Sequence, residues 1–315
     1  MERTSEDTEI KIGTRGSRLA LIQADYVKGK IEATNPNIKI RLVTIRTTAD
    51  KIQDSPLYRI GGKGLFLKEI EEALIEGKID MAVHSMKDVP GEIAESFDIA
   101  AITEREDPRD ALISKDNLAS FGELPKDARV ATSSLRRSSQ LLHIRPDLQI
   151  VPIRGNQDTR LKKMRTKNID AIVLAMAGIH RMGFKDIHLH PLDMDICLPA
   201  GGQGSLGIEI RRDDEKVSSL IRPLSDFRAS MCIRAERACL RRLGAECYTP
   251  MAAFAEITNS RIHLRALVAD LRGEELVKSE IMGDLEDPES VGSELAGQLL
   301  SKGAEDIIRE LKGRS

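Results

Sequence analysis

A chain of 315 residues is too long for one ordinary domain and suits two or three. With 41% apolar and 31% charged residues it falls among soluble globular proteins, and no apolar run approaches the roughly 18 residues that a membrane helix needs. A formal charge of −2, 3% aromatics and no tryptophan argue against broad nucleic-acid binding, so any anion site must be a local cluster of arginines on a balanced surface.

The N-terminus, Met1 to Glu9, is acidic and polar with no signal-peptide core, and a cytoplasmic location is the expectation. Glu9 to Gly13 alternates like a strand. Leu19, Ile22, Tyr26 and their neighbours then form a helical stripe with Ser17 as its N-cap. Arg15 and Ser17 thus sit where a strand hands over to a helix N-terminus, a ready anion site, although an ordinary βα turn has the same form. Ile38, Ile40 and Leu42 alternate as a second strand. Residues 46–64 show little periodicity and read as a long loop. Its Gly61-Gly62-Lys63-Gly64 lacks the spacing of a nucleotide loop and the following Ser or Thr. Phe66 to Glu76 is amphipathic and closed by Gly77.

The stretch Asp80 to Pro90 is the centre of the chain's chemistry. Met81-Ala82-Val83 reads as a buried strand, and Pro90 stops any continuation, so Ser85 to Asp88 form a turn at the strand's end. Ligands of open α/β folds bind beyond such ends, which makes Asp88, beside Lys87, a candidate for handling a developing positive charge. A helix-capping or turn-closing role for Asp88 fits the same stretch.

Ile99 to Ile102 is a further strand, and the charge-dense run Glu104 to Asp110 marks the first domain boundary, although a surface loop accounts for it nearly as well. A strand-turn-helix device then recurs. Val130 to Thr132 leads through Ser133 and Ser134 into a helix opened by Leu135-Arg136-Arg137. Ile150 to Ile153 leads through Arg154-Gly155-Asn156 into a helix over 158–167 carrying Arg160. Ile169 to Leu174 leads into Ala175 to Gly183, which carries Arg181. Arginine ordinarily favours a helix's last turn. Here Arg136, Arg137, Arg154 and Arg160 crowd strand ends and first turns, which suggests convergence on a ligand with several carboxylates or phosphates.

The glycine-rich stretch Leu198 to Ser205 and the strand Leu206 to Ile210 return the chain to the first domain, and such a double crossing makes a cleft with a hinge behind it. From about Asp226 a long helix, three strands around an Arg272-Gly273 turn and two final helices form a small α+β domain. The four cysteines (197, 232, 239 and 247) make no CxxC pair, and the histidines supply no zinc spacing with them, so no metal is expected. Cys232 and Cys239, seven apart in a helix, read as reduced core residues. Cys247, in the link Gly244 to Pro250, reads as a nucleophile, an attachment point or an inert thiol.

Taken in order, Gly13-Thr14-Arg15-Gly16-Ser17, Gly61 to Phe66, Val83-His84-Ser85-Met86-Lys87-Asp88-Val89-Pro90, Glu104 to Asp110, Thr132 to Arg137, Arg154-Gly155-Asn156 with Thr159-Arg160, Gly202-Gln203-Gly204 and Ala235-Glu236-Arg237 closely resemble the hydroxymethylbilane synthase (porphobilinogen deaminase) family from about Ile10 to the last helix. The resemblance implies a transferase that joins four porphobilinogen molecules head to tail, with release of ammonia, into linear 1-hydroxymethylbilane. It implies a dipyrromethane cofactor, one per chain, held by a thioether at the position of Cys247, and a catalytic aspartate at Asp88. Loss of ammonia leaves an electron-poor azafulvene, and the ring that attacks it becomes cationic. A carboxylate hydrogen-bonded to pyrrole N–H groups would stabilise that charge.

The growing chain is a polycarboxylate. Its expected clamps are Arg15, Lys63, Lys87, Arg136, Arg137, Arg154, Arg160 and Arg181, with Ser17, Thr132, Ser133 and Ser134 as donors and Ser85, Asn156 and Gln203 lining the site. The expected fold is α/β, with two periplasmic-binding-protein-like domains (1–104 with 203–223, and 105–202) around a hinged cleft and a small α+β domain over 226–315. Porphobilinogen is the expected partner, with no nucleic acid, no membrane and a monomeric state. Two features depart from the family. Ala245-Glu246 stand where Gly-Gly is usual, which restricts the loop's φ and places a carboxylate beside the thiol, and Arg59 stands where lysine is common. Two rivals from other classes are a polycarboxylate-binding module without chemistry and a sulfur-transfer enzyme using Cys247.

Overall fold

The computed structural model describes residues 8–47, 67–118, 120–245 and 249–313. Lys63, Arg59, the Gly61 to Phe66 motif and Cys247 with Glu246 lie outside the described residues.

Three sheets organise the described residues. Strands Thr8–Arg15 (β1), Ile38–Ile45 (β2), Met81–Ser85 (β3), Phe97–Ile102 (β4) and Leu206–Arg211 (β10) line up as β2-β1-β3-β10-β4. Strands Asp110–Ser114 (β5), Arg129–Ala131 (β6), Gln149–Val151 (β7), Ala171–Ala175 (β8) and His188–Pro191 (β9) line up as β7-β6-β8-β5-β9. The two sheets share one design: three parallel strands, then two in which the fourth runs antiparallel to both its neighbours. Strands Met251–Thr258 (β11), Arg261–Ala269 (β12) and Leu276–Asp284 (β13) form an antiparallel meander.

The helices are Arg18–Thr34 (α1), Lys68–Ile75 (α2), Leu135–Ile144 (α3), Gln157–Thr166 (α4), Met176–Met182 (α5), Glu215–Ile221 (α6), Phe227–Arg242 (α7), Pro288–Leu299 (α8) and Glu305–Gly313 (α9). Their starts follow local chemistry. Ser17, Ser134, Asn156 and Asp226 each accept a backbone N–H of the first turn of α1, α3, α4 and α7. Gly183 ends α5 in the left-handed region.

Both α/β sheets are buried on two faces, which is why β3 and β8 read as unbroken apolar runs. Ile12, Met81, Val83 and Ile208 pack beneath α1 and α6, while Ala82 meets Ile70 and Leu74 of α2 on the other face. The third sheet packs against α7 and α8. Cys232 and Cys239 lie in that core as expected, and burial pushes both thiols up to about 12. Asp110, the last residue of the charge-dense run, opens β5, and neither β5 nor the edge strand β9 is legible in the sequence pattern. No helix among the described residues is long and apolar enough to cross a membrane, and none of their His, Cys, Asp and Glu side chains cluster to hold a metal ion.

Candidate active site

Because β10 is antiparallel to β3, its first residue lies opposite the last of β3, Leu206 against Ser85. In the second sheet β5 begins opposite the end of β8, Asp110 against Ala175. The crossings over 103–109 and 192–205 therefore arrive at the edge where the parallel strands end and the helices begin, the ligand-binding edge of open α/β sheets. Gly202, at φ +75°, allows the close approach: a Cβ there would lie 2.7 Å from Met86 Cβ and 3.2 Å from Lys87 N.

Met86–Asp88 form one 3-10 turn directly after β3. Met86 is buried, Lys87 half-buried and Asp88 exposed. Asp88 shares a cavity of about 80 Å³ with Arg15, Ser17, Gln23, His84 and Ser85. Gln23 Nε2 donates to Ser85 Oγ at 2.9 Å, and buried His84 meets Glu209 at 2.8 Å. Ser17 Oγ accepts from Ala20 N at 3.2 Å, which leaves its own O–H available.

The second sheet supplies most of the arginines, and two of them already hold a carboxylate of the chain's own. Arg136 Nη1 lies 2.7 Å from Asp110 Oδ2 and donates to Leu198 O at 2.7 Å. Arg137 donates to Asp110 Oδ1 through Nε (3.1 Å) and Nη2 (2.7 Å), and to Val173 O through Nη1. Both guanidiniums, expected as clamps for a ligand's carboxylates, thus also pair with a carboxylate inside the chain. At the first turn of α3, packed against β5, they are nearer to a buried aspartate than to solvent. Burial alone would push Asp110 up, but Arg136 and Arg137 together outweigh it and hold the carboxyl far below its ordinary range.

Gln203, 1% exposed, links this cluster to the first sheet. Its Nε2 donates to Asp110 Oδ1 (2.9 Å) and Pro108 O (2.7 Å), and its Oε1 accepts from Lys87 Nζ at 3.2 Å. Arg181 Nη2 donates to Gly204 O at 2.6 Å, and Arg18 pairs with Asp158 at 3.0 Å across the same gap. Arg160 Nε donates to Gly155 O, and the Arg154 side chain makes no hydrogen bond or ion pair among the described residues.

Two of the expected donors and one lining residue make local hydrogen bonds. Ser133 Oγ donates to Ile153 O and accepts from Ile153 N, Thr132 Oγ1 accepts from Ser134 N, and Asn156 Oδ1 accepts from the N–H and the hydroxyl of Thr159. These bonds shape the strand ends and helix starts, and they leave the Thr132 O–H and the Asn156 Nδ2 without a bond among the described residues.

The electrostatics leave a surplus of positive charge. One carboxylate between Arg136 and Arg137 leaves a full charge uncompensated. Burial and the Arg137 charge bring Lys87 down to about 8, against the opposing pull of Asp88 and Asp110. Burial, Arg137 and Arg154 bring Arg160 down to about 10, with Asp88 again opposing. Cations held this close, with Asp88 the exposed carboxylate among them, suit a ligand that brings several carboxylates and a few N–H groups, and the acid-substituted pyrroles of a dipyrromethane meet that description.

Residue-by-residue reading of the sequence missed the hub Asp110 and the clamp at Glu236. Buried Glu236 of α7 accepts from Arg105 at 2.6 and 3.2 Å, from Gly202 N at 2.7 Å and from Ala255 N at 2.7 Å. It thereby ties both crossings to the third sheet. The sequence signal was the Ala235-Glu236-Arg237 motif, in which a carboxylate falls on the buried face of an amphipathic helix.

Cations gathered around one exposed carboxylate, at the facing edges of two open α/β sheets, define a cleft protein for a polyanionic ligand. The chain matches the family model for the porphobilinogen deaminase dipyromethane cofactor binding domain over residues 10–219 and that for the porphobilinogen deaminase C-terminal domain over 230–301. It is 47% identical over 306 residues to the porphobilinogen deaminase of Geobacter metallireducens, covering 97% of this chain and 96% of that protein. The porphobilinogen deaminases of Geotalea uraniireducens (48% identity, 97% and 95% covered) and Carboxydothermus hydrogenoformans (47%, 96% and 97%) are similarly related. The chain belongs to the porphobilinogen deaminase family.

Proposed function

We propose that this chain joins porphobilinogen molecules head to tail with release of ammonia, with Asp88 as the catalytic carboxylate and the surrounding cations as clamps for acetate and propionate groups. The observation that carries the reading is the placement of Asp88, exposed on a turn at the end of β3 with Lys87 beside it and its charge felt by Arg160 across the cleft. A carboxylate in that position accepts hydrogen bonds from pyrrole N–H groups and balances the positive charge that grows on the ring as the aminomethyl group loses ammonia. It is also placed to take up the proton released when the new carbon–carbon bond forms.

Arg15, Lys87, Arg154, Arg160 and Arg181 bind the substrate's carboxylates, and Ser17 and Ser134 donate from helix N-termini. Arg136 and Arg137 act with Asp110 as a cationic wall behind them. Lys63 belongs to the same set by its motif. A dipyrromethane held on Cys247 supplies, when bound, the pyrrole carbon to which the first substrate is joined. The reading divides the chain into 1–104 with 203–223, 105–202 and 226–315, and assigns it to the cytoplasm, where its substrate would be consumed. Incubating the purified protein with porphobilinogen tests the proposal: ammonia and hydroxymethylbilane are expected in step with substrate loss. Binding of porphobilinogen with no ammonia release would instead establish a binding module.

A further inference from the structure

We propose that Arg237 is a positioning residue for Asp88: carried on α7, it holds the three residues that follow the carboxylate and so sets where that carboxylate points. Arg237 Nη1 donates to Val89 O at 3.1 Å, and Nη2 donates to Pro90 O at 2.6 Å and Gly91 O at 3.2 Å. Before Asp88 the turn is tied by Met86 N to Ser205 O at 3.0 Å and by Lys87 Nζ to Gln203 Oε1 at 3.2 Å, but after it the ties are few. Val89 N donates to Met86 O at 3.2 Å, Pro90 has no N–H to give, and residues 89–96 form neither helix nor strand. Val89 and Met86 do pack against Ala229 and Ile233. Ala229, Ile233 and Arg237 recur every four residues, so one face of α7 supplies both the apolar seat and the polar clamp.

The guanidinium is half-buried, and burial together with neighbouring Arg241 lowers it to about 10, still charged at neutral pH. A cation removed from water in this way needs its carbonyl partners, which favours a fixed geometry. The preceding residue, Glu236, holds both crossings, so adjacent positions of one helix fix the cleft's back and its catalytic turn. The same helix leads through Gly244 and Ala245 to Cys247 in the sequence. Arg237 therefore fixes the orientation of Asp88 relative to the element that precedes the loop cysteine, and its loss should affect the chemical step more than substrate affinity.

This inference rests on the reading of Asp88 as the catalytic carboxylate. The test uses purified holoenzyme of the parent, Arg237→Gln, Arg237→Lys and Asp88→Asn, with steady-state kinetics and amide hydrogen exchange over residues 86–91. Arg237→Gln is expected to exchange faster in that segment and to lose kcat by about ten- to a hundredfold, the scale for a group displaced by about an ångström, with KM nearly unchanged. Arg237→Lys, which keeps a charge that reaches fewer carbonyls, should recover part of both. Unchanged kcat in Arg237→Gln, or a fall in kcat with unaltered exchange over 86–91, or a fall that lysine does not relieve, overturns the inference. If Arg237→Gln does not fold, Arg237→Lys carries the same two readouts, with smaller shifts expected in both, and parental values in either overturn it. Normal turnover by Asp88→Asn would instead remove the reading on which the inference rests, whereas an inactive Asp88→Asn beside a fully active Arg237→Gln would remove the positioning role alone.

Discussion

Replacing Asp110 by asparagine tests the hub that joins the two α/β sheets. Asp110 is fully buried and its carboxylate meets Arg136 and Arg137, each with a side chain only 7% exposed, as well as Gln203 Nε2 and the Cys197 thiol. Asparagine keeps the shape, removes the charge and turns N–H donors toward groups that are themselves donors. Breaking one partner of a buried pair costs about 3–5 kcal/mol, because the remaining charge is left uncompensated. Two guanidiniums lose their partner here, so the upper half of that range is expected, a large share of the roughly 5–15 kcal/mol that stabilises a typical domain. Urea denaturation of parent and variant at pH 7 measures the difference. Its pH dependence has a definite sign. A carboxyl held low in the folded state contributes stability that is complete above its unfolded value and is lost as pH falls toward the folded one. The gap between parent and variant should stay level from pH 8 to about pH 5 and begin to close below about pH 4. A loss under about 1 kcal/mol at pH 7, or a gap that does not narrow in acid, would refute the assignment of Asp110 as the charge partner of both arginines.

Lys87, held down at about 8, should bind a substrate carboxylate less well as pH rises through that value. KM for porphobilinogen is expected to climb above about pH 8, with proton uptake on binding, and Lys87→Arg should flatten the climb because guanidinium stays charged. Freshly purified parent protein should weigh more than its sequence by two pyrrole units, and Cys247→Ser should lack that increment and all turnover. Intact mass spectrometry decides this, and a one-sulfur increment on the parent would point to sulfur transfer instead.

The sequence made the strand ends legible because punctuation is local. Pro90 stops β3, and Ser17, Ser134 and Asn156 cap the helices that follow their strands, so the positions of Arg15, Asp88, Arg137 and Arg160 at one edge could be inferred from spacing alone. The internal partner of Arg137 could not, because Asp110 lies 27 residues earlier in a charge run that reads as a surface loop. β5 is buried on both faces, so it offers no alternation, and its apolar run Ala111-Leu112-Ile113 follows the charge run directly, which hides where the strand begins. β9 pairs histidines and a proline at a sheet edge, a composition that argues against a strand. Glu236 and Arg237 were visible as a motif, but their partners, Gly202 and the Val89 to Gly91 carbonyls, are tertiary.

The most direct measurement is the turnover of Asp88→Asn beside its unfolding midpoint. Asp88 is exposed and its side chain makes no hydrogen bond or ion pair among the described residues, so the amide should fold with nearly parental stability. If a negative charge at the end of β3 carries the chemistry, ammonia release from porphobilinogen should fall by at least about a hundredfold, the lower range for loss of an acid–base group. Parental turnover in a well-folded Asp88→Asn would contradict the account.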